Sequence, residues 1–369
     1  VFSGETRRNP TPETVLALGR DMRLNIHDCG RFPGTVRCVR CHQRPFGPRT
    51  MMSRYKRELS VALAYALLLL TLAAVRPRFY RSTEPLDLLV FGAPVLIAAV
   101  GMTLVILARQ IDISIGSQFS VCAVTAALLA RAGVPMPLAA LGAVLTGAAL
   151  GAGNGTLVAG LGLPSIVVTL ATMVVLRSGL QWLREGEFVR DLPANFQWFG
   201  LGQDAGQIIV VAAAALTFAV FAWGLGYVAA GRAVYATGSD PEAARLAGIR
   251  PRRVVFAVFV VMGALAGLAA VLRAVHLPQV DPKDGEGLEL QVIAAVVVGG
   301  VAVSGGRGTL LGALLGVALL GTIRSALVFL GAEAYWEKAI QGGIILLAVA
   351  SDALNLRRRT HAAARLAAR

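Results

Sequence analysis

The chain has 369 residues, of which 56% are hydrophobic, only 15% are charged and 41 are glycine, with a mean hydropathy of +0.67; that is too apolar for an ordinary soluble domain. Its formal charge of +14 is not a nucleic-acid footprint, because no nucleic-acid-reading module accompanies the arginines. They gather at 1–50, in one central loop and at the C-terminus, where a basic excess beside apolar runs points to membrane orientation and contact with membrane lipid.

Residues 1–50 are polar, rich in arginine and proline and without helical periodicity. They read as a disordered basic extension, or as sequence ahead of the natural start. Met51 and Met52, then Arg54, Lys56 and Arg57 and an apolar run from Leu59, resemble a start with a positive flank. The transmembrane domain is therefore taken as residues 51–369. Within the extension Cys38, Cys41 and His42 form C-x-x-C-H, the spacing of covalent haem attachment, and Cys29 adds a further zinc-type ligand. Haem attachment requires export, and no apolar signal run precedes Cys38. Neither haem nor zinc is expected, and no cofactor is assigned to this subunit.

A helix needs about 20 apolar residues to cross about 30 Å of hydrocarbon. Runs near that length recur at 59–75, 86–108, 117–131, 135–157, 164–182, 207–228, 254–275, 290–303, 309–330 and 336–353. They predict an all-α polytopic membrane protein of about ten transmembrane helices. The runs at 117–131 and 290–303 are short or broken by glycine, which makes them candidates for short or re-entrant segments. An even count places both termini on one side. Arg232, Arg245, Arg250, Arg252 and Arg253 in the loop at 229–253, with Arg357, Arg358 and Arg359 in the tail, assign that side to the cytoplasm. The acidic loops at 183–206 and 276–289 then fall outside, and Arg76, Arg78 and Arg81 are exceptions to the charge rule.

Four stretches carry the polar chemistry. At 101–117 (GMTLVILARQIDISIGS) a span ends in Arg109 and is followed by a polar break. Asp112 there is an ionisable group at a membrane boundary, which is costly unless paired, capping or wet. Either Asp112 or Ser114 is placed to cap a helix starting near Ile115. At 142–155 glycines recur every four or five residues, a pattern that lets helix backbones approach closely. At 154–170 (NGTLVAGLGLPSIVVTL) Asn154 sits in a turn signal and Pro164 marks a helix start. Ser165 and Thr169 offer hydrogen bonds either to hydroxylated cargo or to their own helix backbone.

The central loop at 235–253 (YATGSDPEAARLAGIRPRR) predicts a short capped helix at 241–247. Ser239 or Asp240 serves as cap, Pro241 takes the first position, Glu242 faces the positive end and Gly248 terminates it. Such a rigid piece between two spans suits coupling to a soluble motor. At 285–312 an acidic start leads through an apolar run to Gly299, Gly300, Gly305, Gly306 and Gly308. No lysine accompanies these glycines, and the chain has no G-x-x-x-x-G-K-[ST] phosphate loop. Any nucleotide hydrolysis that drives transport belongs to another polypeptide.

In combination GMTLVILARQIDISIGS, NGTLVAGLGLPSIVVTLATM, YATGSDPEAARLAGIR, GLELQVIAAVVVGGVAVSGGRGTLLGALLG and WEKAIQGGIILLAVASDAL resemble the permease subunits of ribose-type, binding-protein-dependent ABC importers over about 86–355. IDISIGS is similar to the monosaccharide branch, and EGEFVRDLPANFQW with YATGSDPEAARLAGIR to its autoinducer-2 and rhamnose permeases. The resemblance implies a bacterial inner-membrane subunit that pairs with a second permease subunit, the same or a sister chain. It also implies two ABC ATPase subunits on the cytoplasmic face and a periplasmic substrate-binding protein outside. The resemblance puts the ATPase-coupling role on Gly238, Asp240, Pro241, Glu242, Ala243, Arg245 and Gly248. Asp112, Ser114, Asn154, Ser165 and Thr169 are the candidate substrate-pathway residues; Thr103 and Gln181 are further hydrogen-bonding candidates. The alternative is an ion-coupled secondary transporter, for which Arg324 is the best mid-membrane ionisable group.

Overall fold

The structure is a computed structural model that describes residues 56–75, 85–331, 336, 338–343 and 346, all within the compact unit Thr50–Arg369. The expectations for 1–50, including Cys29 and the motif at 38–42, for Arg76, Arg78 and Arg81, and for the arginines at 357–359 lie outside the described residues. The described chain is helical: α1 Lys56–Val75, α2 Pro85–Leu107, α3 Ile115–Arg131, α4 Met136–Gly155, α5 Ser165–Arg184, α6 Gln203–Tyr227, α7 Ala229–Ser239, α8 Pro241–Leu246, α9 Pro251–Ala274, α10 Leu288–Val298 and α11 Leu310–Phe329.

Among the described residues, six helices are long and apolar enough to cross a membrane: α2, α4, α5, α6, α9 and α11. The apolar parts of α1, α3 and α10 are shorter, so the count of ten is not reached on length among the described residues. The run at 290–303 shows why. Its helix α10 has only 11 residues, about 16 Å at 1.5 Å per residue, roughly half the hydrocarbon thickness. Glycines with positive φ at 300, 305, 306 and 308 turn the chain before α11 begins.

Helix α9 is the centre of the bundle and packs against α2, α3 and α4. Its Phe259, Met262, Ala266, Ala269 and Ala270 are fully buried. The glycine pattern of α4 meets α9 directly. A Cβ on Gly147 would lie 2.1 Å from the Gly263 carbonyl oxygen, and one on Gly263 would lie 2.0 Å from that of Gly147. Only glycine at both positions permits this backbone contact, which is the packing expected of small residues between spans.

The two ends of α9 organise the rest. At its N-terminal end lie α7 and α8. The loop that follows its C-terminal end pairs with the loop after α5, through mutual backbone bonds between Val189 and Val280 at 2.9 and 3.1 Å. This is the only β-bridge among the described residues. There the Trp198 amide donates to the Val275 carbonyl at 3.0 Å, and the His276 ring stacks on Trp198 at 4.7 Å. Burial and then the charge of Arg273 bring His276 down from 6.5 to about 4. The two acidic loops, placed on one face by the charge pattern, are thus joined at one end of the bundle.

Candidate translocation site

The break between α2 and α3 is the centre of a buried polar cluster. Asp112 and Ser114 are fully enclosed. One Asp112 oxygen accepts from the Ser114 amide at 2.9 Å and from the Ser114 hydroxyl. The other accepts from Gln118 Nε2 at 3.1 Å. Ser114 Oγ in turn accepts from Gln118 Nε2 at 2.7 Å and from Asn154 Nδ2 at 2.9 Å. Thr172 of α5 donates to Asn154 Oδ1 at 2.7 Å. Helices α3, α4 and α5 therefore meet through one hydrogen-bonded network, which satisfies buried polar groups that would otherwise cost about 1–3 kcal/mol each.

Ser165 and Thr169 join the same region. Ser165 Oγ accepts from the Ile111 amide at 3.3 Å. Thr169 Oγ1 donates to its own helix at Ser165 O, 2.9 Å, with a longer approach of 3.4 Å to Ile111 O. All five candidate pathway residues are thus brought together around residues 111–114. Helix α3 begins at Ile115 as expected, but the capping detail differs. Ser114 is the N-cap residue and makes no side-chain cap bond, because its hydroxyl is committed to Asp112, Gln118 and Asn154. Thr103 is not part of the cluster; it bonds Ala99 O of its own helix at 2.7 Å.

Residues that the sequence reading did not single out extend this network. Gln118 is fully buried, and its Oε1 has no partner. Ser117 donates to Met173 O at 2.9 Å. Farther along α5, Arg177 pairs with Glu289 at 3.2 Å, and Gln181, already a hydrogen-bonding candidate from the sequence, donates to Glu286 at 3.3 Å. From Ser165 to Arg177 the distance along α5 is about 18 Å, so the polar groups form a column along one side of the bundle. No group of side chains suited to a metal ion occurs among the described residues. Arg324, the candidate for ion coupling, is exposed on α11.

The second part of the site is α8 and what holds it. Asp240 Oδ1 accepts from the amides of Glu242 and Ala243 at 3.0 and 3.2 Å, Pro241 takes the first position and Gly248 follows with φ +83°. These are the predicted cap, start and stop; the helix ends at Leu246 rather than at Ala247. Glu242 and Arg245 pair at 3.0 Å on its exposed surface, and Leu246 is 86% exposed. The C-terminal end of α7, which leads into α8, is fixed to the bundle. A Cβ on Gly238 would lie 1.7 Å from Leu107 O, the Gly306 amide donates to that oxygen at 3.0 Å, and Tyr235 donates to Gly308 O at 2.8 Å. Arg109, with φ +63°, turns the chain from this contact into the Asp112 loop.

An apolar helical bundle with a buried polar column and a stiff, exposed helix at one end has the build of a membrane permease. The chain belongs to the family described as "Branched-chain amino acid transport system / permease component", which matches residues 85–349, and it is a multi-pass membrane protein. It is 36% identical over 314 residues to the autoinducer 2 import system permease protein LsrC of Escherichia coli O157:H7, covering 83% of this chain and 92% of that protein. The Yersinia pseudotuberculosis protein of the same name is 36% identical over 286 residues, covering 77% and 82%. That of Salmonella typhi is 35% identical over 314 residues, covering 83% and 90%. No solved structure gives a significant match. The resemblance to ribose-type permeases, and to their autoinducer-2 branch, is borne out by these relatives.

Proposed function

We propose that this chain is the inner-membrane permease subunit of a binding-protein-dependent ABC importer that moves a sugar or sugar-like small molecule by alternating access. Residues 51–369 form the permease domain, with both termini cytoplasmic. A second permease subunit completes the passage, two ATPase subunits supply ATP hydrolysis, and a periplasmic binding protein delivers cargo. The names of the relatives, autoinducer 2 import permeases, favour a small polyhydroxylated cargo over the amino acids in the family's description.

The observation that carries this reading is the backbone contact between Gly238 and Leu107. It ties the exposed α8 to the C-terminus of α2, and Leu107 stands five positions before Asp112. Movement of Gly238, Asp240, Pro241, Glu242, Ala243, Arg245 and Gly248 by the motor subunits is transmitted through α2 to the Asp112 loop. Asp112, Ser114, Asn154, Ser165 and Thr169 then rearrange their hydrogen bonds and offer donors and acceptors to passing hydroxyl groups. The energy of the cycle comes from the different preferences of motor and cargo for the two states.

Replacing Glu242 and Arg245 together by alanine in the assembled transporter tests the coupling role. Uptake should fall while the complex assembles and still hydrolyses ATP. Unchanged uptake would remove α8 from the mechanism.

A further inference from the structure

We propose that Arg177 and Glu289 form a latch that closes the polar column at the end remote from α8 and opens once in each transport cycle. The proposal rests on the transport reading above and adds a gate to it. Helix α5 packs on α3 and α4 and is tied to the start of α10 by two side-chain bridges, Arg177 to Glu289 at 3.2 Å and Gln181 to Glu286 at 3.3 Å. The 285–289 segment is itself seated on α3. The Gly285 amide donates to Ser120 Oγ at 3.0 Å, and a Cβ on Gly116 would lie 2.1 Å from Glu289 Oε2. The latch therefore joins α5 to the first turns of α3, directly beyond the Asp112 cluster.

The pair is not built for maximal stability. Glu289 is 7% exposed, yet its Oε2 has no hydrogen-bond partner, and the Arg177 side chain remains 29% exposed. Buried ion pairs with incomplete hydrogen bonding roughly break even against their desolvation cost, whereas removal of one partner leaves an uncompensated charge. A pair of this kind favours one arrangement of its two elements without locking it, as a reversible gate requires. Opening releases Glu289 Oε1 from Arg177 and frees toward the column Glu289 Oε2 and the Gln118 amide oxygen, which lack hydrogen-bond partners in the closed state.

The test uses the complete importer reconstituted in lipid vesicles with its own ATPase subunits and binding protein. Arg177→Gln and Glu289→Gln should each raise ATP hydrolysis in the absence of cargo and lower uptake per ATP, by on the order of tenfold for a shift of about 1.4 kcal/mol between states. Arg177→Lys keeps the charge and should retain most of the coupling. The double Gln variant separates latch from fold: it should assemble as the wild type does yet stay uncoupled. If the single variants keep wild-type uptake per ATP, or lose only the amount of assembled complex, the latch is excluded. A wild-type complex without ATP-driven uptake would instead refute the underlying transport reading.

Discussion

Gly238 is seated on the carbonyl oxygen of Leu107 so closely that a Cβ at 238 would lie 1.7 Å from it, and Gly306 donates its amide to that same oxygen at 3.0 Å. One acceptor thus joins the end of α2, the C-terminal end of α7 and the glycine turn before α11. Gly238→Ala should separate the three. Overpacking of this kind costs about 1–3 kcal/mol, and uptake per ATP should fall well below that of the wild-type complex. Parallel assays of ATP hydrolysis and labelled cargo uptake check this; equal coupling ratios would show that the contact transmits nothing.

Ser114 is the hub of the buried cluster, donating to Asp112 and accepting from Gln118 and Asn154. Ser114→Ala leaves amide donors without a partner in a closed interior, at a cost of about 1–3 kcal/mol. The thermal midpoint of the detergent-purified subunit should drop, and more than after Thr103→Ala, whose hydroxyl bonds only its own helix. Equal drops would show that Ser114 is no more than a local helix contact.

The cap of α8 is a separable element. Asp240→Ala removes both cap bonds and should cost about 0.5–2 kcal/mol locally. Amide exchange in 242–246 should accelerate while exchange across α9 stays unchanged. Asp240→Asn keeps an acceptor and should exchange more slowly than the alanine variant.

The pairing of structure with sequence was uneven, for physical reasons. Local chemistry marked α8, because a cap, a proline and a terminating glycine are encoded within a few neighbouring residues. The five pathway residues stood out because Asp112 and Asn154 interrupt apolar runs. Gln118, Thr172 and Arg177 did not, since a polar residue inside a helix has no local sign of its partner; Arg177 meets Glu289 across 112 positions. Glu289 reads as a surface acid in a loop. It is buried only because Gly116 and Gly285 let α3 and the start of α10 come together. The apolar run at 290–303 outlasts α10 because the valines at 296–298 lead through Gly299 and Gly300 into further apolar residues, although the helix stops at Val298.

His276 gives a pH dependence whose sign is fixed. Burial and Arg273 lower it from 6.5 to about 4, so the folded protein holds the ring neutral where the unfolded chain takes up a proton. Its contribution is full above about pH 6.5 and is lost progressively as the pH falls toward about 4. The thermal midpoint of the wild type should decline over that window more steeply than that of His276→Phe. Parallel curves would show that His276 does not titrate differently on folding.

The most direct test of the account is cargo uptake by the reconstituted complex with its ATPase subunits and binding protein, using labelled ribose, rhamnose and autoinducer 2 in turn. Uptake of at least one of them should require ATP and the binding protein and persist when a protonophore collapses the ion gradient. Uptake that vanishes with the protonophore while ATP is maintained would contradict it and establish ion-coupled transport.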